Sequence, residues 1–303
     1  MKNEAKSNYS YFNGYRFYPL FLFRGMVYNF LFSILSYIAM YELITMYQSK
    51  KNIPNVCKYI IPLFSSIIVL FSSFATAEDI IYVLLVELMF LLILPIFNKK
   101  IEMKDVIFFI FGIIYSGISF AIIVTVRNIE MLYQDASIRL FDGLNIYAVG
   151  LILFIFVLLS TMLTDIAAYQ FGIKFGKHKL CPSISPKKSI EGLIAGTIAG
   201  ALGGTLFMII LQFTLSKEYA NAIKLFKIDN IYLYALAIFG VALLLSIAGQ
   251  LGDLIASKIK REYNIKDYGK IFPGHGGVLD RFDSSIYSFL VFIIILMISG
   301  VTF

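Results

Sequence analysis

Eight apolar runs, each close to the roughly 20 residues that an α-helix needs to cross a bilayer, leave this chain few ways to fold. They cover about 26–47, 59–75, 80–97, 105–125, 145–168, 192–215, 231–256 and 284–302. With 59% hydrophobic and 15% charged residues and a mean hydropathy of +0.81, there is too little polar surface to coat a soluble globule of this length. The expectation is an all-α, polytopic integral membrane protein of about eight to nine transmembrane helices. The second and third runs are short enough to be tilted, re-entrant or merged. The stretch from Phe17 to Phe23 is apolar but too short to span alone, and either lies in the interface or marks a ninth crossing. Residues 1–25 then form an N-terminal polar or interfacial segment, 26–145 a first set of transmembrane helices, and 146–303 a second set bearing the polar loops.

Charge orients these spans. The loops after the first, third, fifth and seventh carry 17 Lys and Arg, against five in the loops after the second, fourth and sixth. Such a bias places the first set in the cytoplasm. The net charge of +7 is accounted for by those loops and by contact with anionic lipid, with no nucleic acid implied. Cys57 and Cys181 are far apart and support neither a disulfide framework nor a zinc site. The polar first 16 residues are not followed by a cleavable signal sequence.

The chemistry concentrates in two of the cytoplasmic loops, Asp165–Gly192 and Ser257–Asp283. The second packs six Lys or Arg, a His-Gly-Gly turn and Asp267, Asp280 and Asp283 between two apolar runs. Clustered cations suit phosphates, and closely spaced carboxylates suit a divalent metal that bridges phosphates. Asp253 and Asp165 each sit inside or at the edge of an apolar run, where an acid is by default a functional candidate. Asp253 could instead be solvated at a helix end, and Asp165 could pair with a loop lysine. Ser257, four residues after Asp253, shares its helical face. Asp280 and Asp283 share a face if a helix starts there, and either bind metal or cap that helix. Gly276 and Gly277 beside His275 let backbone approach a phosphate. Ser185-Pro186 reads as the N-cap and first residue of the sixth span, whose free N–H groups could hold an anion. Gly196, Gly200, Gly203 and Gly204 read as close helix packing.

The segment Ser257–Asp283 resembles the signature of the phosphatidate cytidylyltransferase, or CDP-diacylglycerol synthase, family. The matching positions are Ser257, Lys260, Arg261, Lys266, Asp267, Pro273, His275, Gly276, Gly277, Asp280, Arg281 and Asp283. Upstream, Asp165, Ala168, Tyr169 and Ser185 to Lys188 resemble two further elements of that family, with Ser189 where Thr is usual and Ile190 where an aromatic is common. The resemblance covers about residues 160–303, the N-terminal half matching only in being hydrophobic. It implies that phosphatidate and CTP give CDP-diacylglycerol and pyrophosphate with Mg²⁺, a second metal ion being left open. Asp253, Asp280, Asp283 and Asp165 are then the candidate metal ligands. Lys187, Lys188, Lys266, His275 and Arg281 are candidate catalytic phosphate contacts. Ser185, Ser257, Lys260, Arg261, Gly276 and Gly277 are candidate substrate-binding positions, with Lys260 and Arg261 assigned to anionic headgroups. The partners implied are CTP, phosphatidate and the bilayer of the cell membrane, with the site on the cytoplasmic side and a homodimer left open. Alternatives are another CTP-dependent lipid enzyme, such as a polyprenol kinase or archaeal-lipid cytidylyltransferase, and a transporter. A transporter would scatter ionisable groups at mid-membrane, whereas here they gather at span ends.

Overall fold

The computed structural model describes residues 25–129, 139–141, 144–147, 149–215, 223–226, 228–274 and 276–299. The chain is a multi-pass membrane protein. Among the described residues, seven helical segments are long and apolar enough to cross a bilayer. In chain order the elements are α1 (Gly25–Gln48), α2 (Cys57–Phe71), α3 (Ala77–Phe97), α4 (Met103–Gly112) and α5 (Ser119–Arg127). Then come a hairpin of β1 (Arg139–Phe141) and β2 (Leu144–Tyr147), α6 (Val149–Phe175), a second hairpin of β3 (Lys179–Cys181) and β4 (Ser185–Ser189), α7 (Ile190–Thr214), α8 (Ile231–Glu262) and α9 (Leu279–Ile298). A π-helical turn, Ile113–Ile118, joins α4 to α5, and together they make one span, Met103–Arg127. Residues 17–23, the segment that would hold a ninth crossing, lie outside the described residues.

All eight apolar runs are helical. The second is a separate helix of 15 residues, about 22 Å long at 1.5 Å per residue and so short of the ~30 Å hydrocarbon core. Local chemistry fixes the helix starts. Thr76 and Asp79 form a reciprocal capping box on α3, and Asn230 Oδ1 accepts from the amides of Tyr232 and Leu233 to open α8. The sixth span does not begin at Ser185-Pro186. Ser185 pairs with Cys181 in the second hairpin, and Ser189 is the N-cap, accepting from Gly192 N at 3.2 Å. Ser185 therefore offers no helix N-terminus to an anion. Two spans also outrun their apolar windows. α6 continues to Phe175, which makes Asp165 helical and not a loop residue. α8 continues to Glu262, so Asp253, Ser257 and Lys260 at i, i+4 and i+7 lie along one helical face.

Small residues set the tight packing that lipid surroundings require. A Cβ on Gly196 would lie 2.7 Å from the Thr164 carbonyl, and one on Gly200 or Gly204 would strike Thr164 or Ser160, so α7 lies flat on α6. Thr161 donates to Ser288 at 3.1 Å, and Ser288 to the Leu245 carbonyl at 3.0 Å, which ties α6, α9 and α8 into one layer. One helical turn further in the same direction come Asp165 and Ser284, and two turns on from Leu245 comes Asp253. The layer thus aims three helices' polar groups at one end of the bundle.

That end is shared by all the lysine-rich loops. Lys50 Nζ donates to the Glu262 carbonyl. Lys51 pairs with Glu102 at 3.3 Å, and Arg261 Nε donates to the Ile184 carbonyl at 3.2 Å. The loops after α1, α3, α6 and α8 therefore meet. At the opposite end Asn128 donates to Asn29 (2.8 Å) and Ser73 (2.9 Å), closing α1, α2 and α5 on each other.

Candidate active site

Four aspartates reach the lysine-rich end, Asp165 and Asp253 towards the ends of α6 and α8 and Asp280 and Asp283 at the start of α9. Asp253, nine residues before the end of α8, pairs with Lys188 of β4 at 2.5 Å and accepts from Ser257 Oγ at 3.3 Å. Both partners of the ion pair keep 28% of their side-chain surface, so the pair is open to a ligand. Asp165 lies within electrostatic reach of Asp253, Ser284 and Lys188. Asp283 accepts from Ser284 N at 2.8 Å and lies within electrostatic reach of both Asp253 and Asp165. The two distant motifs therefore do come together. Lys187, Lys266 and Arg281 are exposed. His275 lies outside the described residues.

Lys260 is used differently from the expectation. Lys260 is not directed at headgroups; it is 8% exposed and sits between Asp280 Oδ1 at 2.8 Å and Asp283 Oδ2 at 4.0 Å. The other Asp280 oxygen accepts from Tyr268 N (2.7 Å) and Gly277 N (2.9 Å). Asp280 thus anchors the loop, its two oxygens held by protein donors just as those of Asp253 and Asp283 are. Arg261 likewise spends its guanidinium on the carbonyls of Ile184 and Ile265, strapping α8 to the second hairpin. The Tyr268 hydroxyl donates to the Ala256 carbonyl at 3.1 Å, and burial pushes its pKa up, which keeps it a neutral donor.

Glu42 of α1 completes this anchor, and the sequence reading overlooked it. Its two oxygens accept from Val278 N (3.0 Å) and Leu279 N (3.1 Å), so a carboxylate from the first described helix caps the last. Gly269 and Gly277 are small because a Cβ on either would strike the Glu42 carboxylate. Gly276 has φ +83°, a backbone open to glycine at little cost. The glycines thus admit protein carboxylates, where a phosphate was expected. The signal was present: Glu42 is an acid inside an apolar run, the same criterion that singled out Asp253. Glu42→Ala is expected to strand two buried amides, costing roughly 1–3 kcal/mol each. A lowered melting temperature would register this, and an unchanged one would mean that water or another group replaces the carboxylate.

The donor set suits a hard divalent cation. Among the described residues no three His, Cys, Asp or Glu side chains form a ready cage. Mg²⁺ is commonly held by one or two carboxylates, with water and substrate phosphates filling the remaining positions. Asp165, Asp253 and Asp283 offer oxygen ligands from three helices, and their mutual repulsion would be relieved by a cation.

A model of the cytidylyltransferase family matches residues 9–299. This chain belongs to that family. The cytidylyltransferase match reaches well beyond residues 160–303, so the N-terminal helices are part of the family's shared sequence and not merely hydrophobic. Among relatives, the phosphatidate cytidylyltransferase of Staphylococcus saprophyticus is 32% identical over 89% of this chain and 90% of its own length. That of Bacillus subtilis strain 168 is 31% identical over 91% of this chain and 93% of its own. That of Staphylococcus aureus strain COL is 30% identical, covering 89% and 90%.

Proposed function

We propose that this protein is a phosphatidate cytidylyltransferase, a nucleotidyltransferase that makes CDP-diacylglycerol and pyrophosphate from phosphatidate and CTP for phospholipid synthesis. The observation that carries the reading is the meeting of Asp165, Asp253 and Asp283 with Lys188 and Lys260 at the one end of the bundle where all the lysine-rich loops converge. A phosphatidate oxygen forms the new bond to the α-phosphorus of CTP. The bond from that phosphorus to the β-bridging oxygen breaks, and pyrophosphate leaves. The nucleophile is already anionic at neutral pH, so the chain need not supply a strong base.

Its larger task is to bring a phosphate monoester against a triphosphate, which is a matter of positioning and charge neutralisation. Lys188, Lys187, Lys266 and Arg281 are assigned to phosphate oxygens. Asp253, Asp165 and Asp283 would hold Mg²⁺, which when bound supplies positive charge between the two anions. The charge bias of the loops supports a cytoplasmic site, the compartment that holds CTP.

The test is an incubation of detergent-purified protein with phosphatidate, Mg²⁺ and CTP labelled in the cytidine or in the γ-phosphate. The cytidine label is expected in the lipid phase and the γ-label in pyrophosphate. Transfer of the γ-label to lipid would identify a lipid kinase and end this reading.

A further inference from the structure

We infer that Tyr115 is a substrate-contacting residue contributed by the N-terminal half, its phenolic O–H donating to a phosphate oxygen held beside Asp253 and Asp283. This deepens the cytidylyltransferase reading and rests on it.

Tyr115 is 6% exposed, and its hydroxyl has no hydrogen-bond partner among the described residues. A buried donor left unpaired is a standing cost to the fold and calls for an explanation. The surroundings supply one. The same span packs Phe120 against Phe282, the neighbour of Asp283, with ring centroids 5.0 Å apart, and the hydroxyl lies within electrostatic reach of Asp283, Tyr287, Asp253 and Asp280 and of Tyr268, so it borders the site without bonding to it.

The carboxylate oxygens nearby are already engaged. Those of Asp253 take Ser257 and Lys188, those of Asp280 take Lys260, Tyr268 N and Gly277 N, and those of Asp283 take Ser284 N and Lys260. What remains is a neutral donor at the edge of an acidic cluster. Such a group can approach an incoming anion without adding to the repulsion.

The backbone under Tyr115 is also unusual. It lies in the π-helical turn Ile113–Ile118, and single π turns recur at functional sites because the inserted residue re-aims its neighbours. This turn is pinned from outside the site. Ser116 Oγ donates to the Gly112 carbonyl at 2.7 Å and shares a hydrogen bond with Ser65 at 3.1 Å. Ser36 donates to the Ser116 carbonyl at 3.4 Å. The Tyr115 ring is stacked on Phe111 with centroids 5.5 Å apart and planes at 15°. The phenol is thus held in orientation before any ligand arrives, as a contact made late in a reaction requires.

The experiment compares the wild-type protein with Tyr115→Phe and Tyr28→Phe in detergent. It measures kcat and both KM values for CDP-lipid formation, and thermal unfolding by circular dichroism. Tyr28 is the control: its hydroxyl is also buried without a partner among the described residues, but its ring lies 5.8 Å from the Arg127 guanidinium at the far end of the bundle. Tyr115→Phe is expected to lower kcat/KM about ten- to a hundred-fold, the range for one hydrogen bond to a charged group. Its melting temperature should stay equal or rise, because the unpaired hydroxyl is gone. Tyr28→Phe should keep wild-type kinetics. A loss confined to the KM of phosphatidate assigns the contact to the lipid phosphate, and one confined to the KM of CTP to the nucleotide. Wild-type kinetics in Tyr115→Phe, or a loss of activity matched by a lower melting temperature, would overturn the inference while leaving the cytidylyltransferase reading intact. A wild-type protein that makes no CDP-lipid would overturn both.

Discussion

Asp253→Asn is expected to lower turnover by about 10²–10³-fold, the loss seen when one preorganised electrostatic group is removed from a site where charge develops, while leaving the protein folded. Two features of Asp253 argue for this combination. Its carboxylate sits against Lys188 at 2.5 Å, yet each side chain keeps 28% of its surface. A partly open ion pair contributes little to stability, because solvent screens it and takes over either charge when the other goes. The same openness lets a cation and a phosphate exchange into the pair, the cation to Asp253 and the phosphate to Lys188. Asn keeps the size and one oxygen but not the charge. The measurement is initial rate against Mg²⁺ concentration, with a melting curve on the same sample. A raised Mg²⁺ requirement would mark Asp253 as a ligand. Near wild-type turnover at ordinary Mg²⁺ would remove it from the metal site.

Lys260→Ala should behave in the opposite way, losing stability first. Lys260 and Asp280 keep only 10% and 4% of their side-chain surface, with Asp283 behind them. Removing one member of a buried pair leaves the other's charge uncompensated, which costs on the order of 3–5 kcal/mol. Asp280 would be stranded together with the loop it holds through Tyr268 N and Gly277 N. Thermal unfolding is expected to shift well downward, and activity to fall with it. Lys266→Ala, in an exposed position six residues on, should leave the melting temperature unchanged. A Lys260→Ala protein as stable as wild type would mean that the pair is solvated in the membrane-bound protein, and would restore Lys260 to a contact with headgroups.

These two predictions show what could and could not be read from the sequence. The spans were legible because a bilayer sets one length for every crossing helix. Their ends were not, because α6 and α8 continue past the apolar window on residues that a hydropathy argument assigns to loops. The same extension hid Lys260. Counted as one more positive charge it looks like a headgroup contact; placed at i+7 from Asp253 on a continuing helix, it faces the site. Ser185-Pro186 carried helix-start chemistry, but the pairing of Lys179–Cys181 with Ser185–Ser189 competes for those residues, and no local propensity announces it. Tyr115 was invisible for another reason. Its significance lies wholly in residues far along the chain, and a single sequence gives no sign of which distant helices will touch; Glu42 stood out as an acid in an apolar run, but not the helix that it would cap.

The Glu42 cap has a consequence for the order in which the protein is made. Its acceptors are synthesised in the first described helix, and the two amides they hold come 236 and 237 residues later. A chain emerging from the ribosome must therefore carry this acid, unanswered, through the insertion of nearly every other helix. Only when the last one enters the membrane does the carboxylate find its donors, and only then is the loop bearing Asp280 fastened. A chain cut short before its final helix would keep that acid without these two donors.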